Sequence, residues 1–224
     1  MYIRFSKPHL LSEIHKSTLP VADFRKHFPV AIIDNIPFNR AESLANHNFD
    51  VKELGDIKDI AAVAAYPIIA CDIRDVGAHF DSPFGGAHLI AEIRKKYPDK
   101  YIIAYSAGEY GPEFKKLLDH SDVFLRRGAS INDWVDSLDN AIQAVGDPVR
   151  RWKRIRGLML NYDVPAFEIF LLEDAYIRSI QTHNEFVLDK ALKRARRLQS
   201  AGSVVEKVAE GLITFVKLYV HLAT

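Results

Sequence analysis

Three short and nearly unbroken apolar runs constrain this chain more than any other feature. They are VAIID (Val30–Asp34), PIIACD (Pro67–Asp72) and YIIAYS (Tyr101–Ser106), and each ends on a polar side chain. A strand with one wet face alternates apolar and polar residues, whereas a continuous apolar run belongs to a strand covered on both faces. Such strands occur in parallel sheets, whose crossovers need a dozen or more residues, usually helical. Amphipathic stretches supply them: the spacing predicts helices over Phe38–Asn46, Ile57–Ala65, Ala87–Lys96, Glu113–Asp119 and Ile131–Val145, with Ser130 as N-cap of the last. Phe49–Leu54 and DVFLR (Asp122–Arg126) complete five strands.

The expectation is therefore an α/β domain over residues 29–146: a flavodoxin-like, doubly wound, five-stranded parallel sheet. From residue 147 to 224 no strand is indicated. Helices are predicted over Pro148–Leu160, Ala166–Phe186, Val187–Ser200 and Val204–Leu222, an all-α region for output or dimerisation. Residues 1–28 form a prefix without a firm assignment. The apolar stripe Val204, Val205, Val208, Leu212, Phe215, Val216, Leu218 and Val220 exceeds what a lone surface helix exposes. It packs either within the domain or across a homodimer.

Charge narrows the partners. Thirty Lys and Arg face 29 Asp and Glu, so no global field points to nucleic acid or membrane. Two basic clusters, Arg150 to Arg156 and Lys190 to Arg197, are readable as phosphate contacts or as solvated helix faces; the second reading is favoured and nucleic acid is the lesser one. A lone cysteine, Cys71, fits a reducing compartment and packs as a small hydrophobe. The N-terminus lacks a signal-peptide pattern, and the apolar run Gly211–Leu222 is too short to span a bilayer, so the expectation is a cytoplasmic protein without membrane contact. His183, in QTHNEF on a predicted helix, is read as a surface residue rather than a phosphotransfer histidine.

Doubly wound sheets gather their chemistry at the carboxyl ends of the strands. Here those ends are Asp34, Asp72, Ser106 and Arg126–Arg127. One carboxylate can attack phosphorus, the other can help hold Mg²⁺, a hydroxyl can donate to a phosphoryl oxygen, and a cation can pair with another. Equally, an aspartate at a strand end often only forms a turn, and Ser106 can simply cap the next segment. A second aspartate for a DxD phosphatase motif, a P-loop, a GxGxxG turn and a GxSxG elbow are all missing.

In this order and spacing the strand ends resemble the receiver domain of response regulators. That family has an acidic pair after the first strand, the phosphorylated aspartate after the third, Ser/Thr-Ala after the fourth and Lys-Pro after the fifth. IIDN supplies Asp34 and Asn35, IIACD supplies Asp72, AYSA supplies Ser106, and FLRRG supplies Arg127; Phe124 falls on the aromatic switch position. The resemblance implies a phosphorelay protein phosphorylated on Asp72 by a sensor histidine kinase or a phosphotransfer protein. Ser106 and Arg127 would grip the phosphoryl oxygens, and Asp34, Asn35 and Asp72 would hold Mg²⁺. It implies no enzyme beyond self-phosphorylation and dephosphorylation. The departures open a second reading. Asn35 replaces an acid, Gly128 replaces the proline, Arg74 adds charge near the rim, and Arg127 is larger and bidentate where the family has lysine. If Arg127 pairs with Asp72, the chain is a phosphorylation-independent pseudo-receiver, a protein-interaction or scaffolding module.

Overall fold

The computed structural model describes residues 9–14, 21–80, 83–107, 118–198 and 203–223. The chain divides into two compact units: Thr18–Gly146, and Met1–Ser17 together with Asp147–Thr224.

The first unit is built on one parallel sheet of five strands: β1 (Val30–Ile33), β2 (Val51–Glu53), β3 (Ile68–Asp72), β4 (Tyr101–Ser106) and β5 (Val123–Arg126), in the order β2-β1-β3-β4-β5. This is the five-stranded parallel sheet of the doubly wound, flavodoxin-like fold anticipated above. β1 and β3 are buried at every position, as their unbroken apolar runs require. Pleating divides them: Ala31, Ile33, Ile69, Cys71, Ile102 and Ala104 join one apolar cluster with Leu89, Ile90 and Ile93 of α3 (Gly85–Lys96). On the opposite face an aromatic trio, Phe38, Tyr105 and Trp134, packs with ring centroids 5.0–5.8 Å apart. Trp134 belongs to α4 (Ile131–Gly146). Ser130 caps that helix as expected, its Oγ accepting from the Asp133 N–H while Asp133 accepts from the Ser130 N–H and hydroxyl.

Before the sheet lies one helical turn, α1 (Val21–Phe24), and between β1 and β2 stands α2 (Ala41–Asn46), shorter than Phe38–Asn46. The expected helix over Ile57–Ala65 is a 3₁₀ turn, Ile60–Val63. Lys100 explains its early stop: this buried ammonium donates to the carbonyls of Ala64 and Tyr66, and Pro67 follows. The expected helix Glu113–Asp119 falls almost wholly outside the described residues.

The second unit is all-α: α5 (Pro148–Asn161), α6 (Ala166–Gln181), α7 (Phe186–Leu198) and α8 (Val204–Ala223). The α8 stripe faces inward. Val204, Val205, Val208, Leu212, Phe215 and Val216 are all buried in one cluster with Trp152, Leu172, Tyr176 and Leu188, so the within-domain alternative accounts for it. α6 stops at Gln181 rather than Phe186. Thr182 caps it, Asn184 donates back to Ser179 and accepts from Phe186, and His183 takes a left-handed turn (φ 51°), exposed between helices rather than on one.

Candidate functional site

The ends of β1 and β3 lie side by side, with Ile33 opposite Cys71, so the next residues, Asp34 and Asp72, form a carboxylate pair at one rim. Both are buried, Asp72 completely. A glycine lets α3 approach this rim: a Cβ on Gly86 would sit 2.0 Å from the Asp72 carbonyl oxygen, and the Gly86 N–H donates to the Ile73 carbonyl. The loop between β3 and α3 is fastened by Asp56, which accepts from the N–H groups of Gly77 and Ala78.

Arg127, the residue after β5, closes the rim. Its guanidinium donates to Asp34 Oδ2 in a very short contact and stands 3.4 Å from Asp72 Oδ2. Tyr105 of β4 donates its phenol to the same Asp34 Oδ2 at 2.8 Å. Asp34 Oδ1 accepts from the Ile36 N–H, and Asp72 Oδ1 from the Ile73 N–H. Among the described residues Asp72 Oδ2 is buried without a hydrogen-bond partner, and the Arg127 guanidinium stands 3.4 Å from it.

The energetics follow from two buried carboxylates sharing one cation. Burial pushes the Asp72 carboxyl above its usual range, and Asp34 adds to this; Arg127 and the N–H groups of Arg74 and Ile73 pull the other way without cancelling it. Partial burial works against charge on Arg127, but the bond to Asp34 and the proximity of Asp72 outweigh it, so the guanidinium is held still more firmly protonated. Burial and the adjoining Asp34 push the Tyr105 phenol far out of the physiological range, fixing it as a neutral donor.

Of the residues singled out by sequence, the structure brings Asp34, Asp72 and Arg127 together. Ser106 ends β4, buried and in register with Arg126, but the hydroxyl bonded to the acidic pair belongs to its neighbour Tyr105. Asn35, Arg74 and Arg126 are exposed, as is Phe124, which the resemblance sets at the aromatic switch position, with 41% of its surface accessible. Of the two arginines in FLRRG, it is Arg127 whose guanidinium lies against the acidic pair. Tyr105 was missed; its signal was an aromatic between the aliphatic stretch Ile102–Ala104 and the polar end of the strand.

The implied Mg²⁺ does not fit this arrangement. A cation held by both aspartates would need their Oδ2 atoms, and the Arg127 guanidinium is already directed at both. Among the described residues no three Asp, Glu, His or Cys side chains converge to replace them.

No protein-family model matches the chain, and no curated protein matches it. Solved structures with a similar fold include response regulators. The chemotaxis protein CheY4 of Vibrio cholerae is 16% identical, over 51% of this chain and 98% of that one (TM-score 0.40). Full-length FixJ of B. japonicum is 12% identical, over 82% and 97% (TM-score 0.45). A response regulator of Burkholderia pseudomallei, with a phosphorylated aspartic acid and a calcium ion, is 17% identical, over 78% and 98% (TM-score 0.39). Among the described residues no helix is long and apolar enough to cross a membrane.

Proposed function

We propose that this chain is a receiver-like signalling module that works with its acidic pocket closed, through protein contacts rather than through a phosphoryl group on Asp72. One observation carries the reading: the Arg127 guanidinium lies against both Asp34 and Asp72, with Asp72 wholly buried. A carboxylate that attacks phosphorus needs an accessible oxygen in line with the leaving group. Here Asp72 Oδ2, without a hydrogen bond among the described residues, faces the Arg127 guanidinium instead of solvent. The neutralising charge that a receiver takes from a metal is supplied by the chain itself, as a fixed, always-protonated fork.

Phosphoryl acceptance by Asp72 is the second reading, and the Oδ2 atom without a hydrogen bond favours it. In that step the Asp72 oxygen forms a bond to phosphorus while the donor's O–P or N–P bond breaks, and the leaving group departs with the electron pair. Arg127 would have to swing away first, leaving both carboxylates uncompensated.

The two readings part in one measurement. Incubated with Mg²⁺ and acetyl phosphate, or with Mg²⁺ and beryllofluoride, the wild-type protein should keep its intact mass and its melting temperature. A Mg²⁺-dependent phosphoryl adduct that vanishes in Asp72→Ala would overturn the closed-pocket reading and install the phosphorelay one.

A further inference from the structure

α6 and α7 of the helical unit enclose an open groove of about 1000 Å³. Its floor is apolar, built from Leu171 and Leu172 of α6 with Val187 and Ala191 of α7, and Phe186, 72% exposed, stands at one end. Along its α7 rim run Lys190, Arg194 and Arg197 at helical spacings of four and three residues, which set them in one line. All three are exposed and none has an ion-pair partner among the described residues. Their neighbour Lys193 differs, being paired with Asp189 at 2.6 Å.

From this groove we infer a docking site for an amphipathic helix of a partner protein, its apolar face on the floor and acidic residues opposite Lys190, Arg194 and Arg197. The protein partner rests on the contact-based reading above, although the groove itself contains none of the pocket residues. Charge complementarity selects the occupant. Three basic groups without counter-ions call for an acidic ligand. A nucleic acid fits worse, because phosphates gain nothing from an apolar floor, whereas the apolar face of an amphipathic helix is buried on it. The stretch from Phe186 to Arg197 corresponds to about three helical turns, or roughly 17 Å, enough to read acidic residues spaced i, i+4, i+7.

The test uses the full chain and a fluorescein-labelled panel of synthetic amphipathic helices with leucines on one face and glutamates on its border. Fluorescence anisotropy should show binding that weakens with salt. Lys190→Glu with Arg194→Glu should weaken it by about tenfold or more, and a peptide with lysines in place of the glutamates should recover affinity for that variant. Ala191→Trp, which fills the floor, should abolish binding of either peptide while circular dichroism shows the helices intact. The proposal is overturned if no panel member binds, if both variants bind as wild type does, if duplex DNA binds through Lys190 and Arg194 instead, or if the wild type self-associates and Ala191→Trp does not. Phosphorylation of Asp72 in the same preparations would overturn the closed-pocket reading while leaving this result standing.

Discussion

Arg127 is the residue on which the chemistry of the rim turns. Removing it leaves two buried carboxylates facing each other, a change that costs about 2–4 kcal/mol when the lost partner is itself partly exposed. Arg127→Ala should therefore unfold at a lower temperature than wild type. It should also show a response to Mg²⁺, with about 1.4 kcal/mol of stabilisation expected at ten times the dissociation constant. Calorimetry with and without Mg²⁺ checks both halves; a variant indifferent to the ion would mean that Arg127 is not what excludes it. Asp72 gives a second handle through pH. Its folded-state carboxyl titrates above its unfolded one, so the native state binds the proton more tightly. The stability linked to that proton is full below the unfolded value of about 4 and is lost as pH rises through the folded value. Asp72→Asn removes this loss. Urea titrations should show the wild type falling relative to the variant as pH climbs from the carboxylate range towards neutrality; parallel curves would contradict the shift.

At the scale of elements, the approach of α3 to β3 depends on one missing methyl group. Gly86 has an ordinary helical backbone, so alanine is excluded by space and not by φ: its Cβ would meet the Asp72 carbonyl at 2.0 Å and the Val76 side chain at 2.7 Å. Gly86→Ala should cost at least about 2 kcal/mol by urea denaturation, whereas Gly128→Ala, with nothing within 4 Å, should be close to neutral. Elements differ in how legible they were. β1, β3 and β4 could be read directly because burial on both faces leaves an unbroken apolar string. The turn at Ile60–Val63 could not, because what ends it is Lys100, 36 residues beyond the Ala64 carbonyl it binds. The rim shows the same division. Asp34 and Asp72 are fixed by strand ends and were legible, but the partnership of Tyr105 with Asp34 depends on two side chains meeting across the intervening β3, which no local pattern encodes.

Each of the two compact units holds one of the two tryptophans: Trp134 packs against the sheet with Phe38 and Tyr105, and Trp152 lies in the helical cluster. The helical core also takes in a residue distant in sequence. Ile14 is buried in it, and His9 binds Asp174 through both its backbone N–H and its ring. Sequence reading assigned residues 1–28 to a prefix, since a few apolar residues before a turn do not reveal which core they join. If the units fold independently, a cavity in one core should leave the other's transition in place. Ile14→Ala should lower the helical unit's stability by about 2–4 kcal/mol, and Phe28→Ala, which empties the space against Gly146, should lower the sheet unit's by about 3–5 kcal/mol. Fluorescence-detected urea unfolding in Trp134→Phe and Trp152→Phe backgrounds reads the two units one at a time. The expected pattern is crossed: Ile14→Ala moves only the Trp152 transition and Phe28→Ala only that of Trp134. A joint shift from either substitution would mean that the two cores melt as one cooperative body.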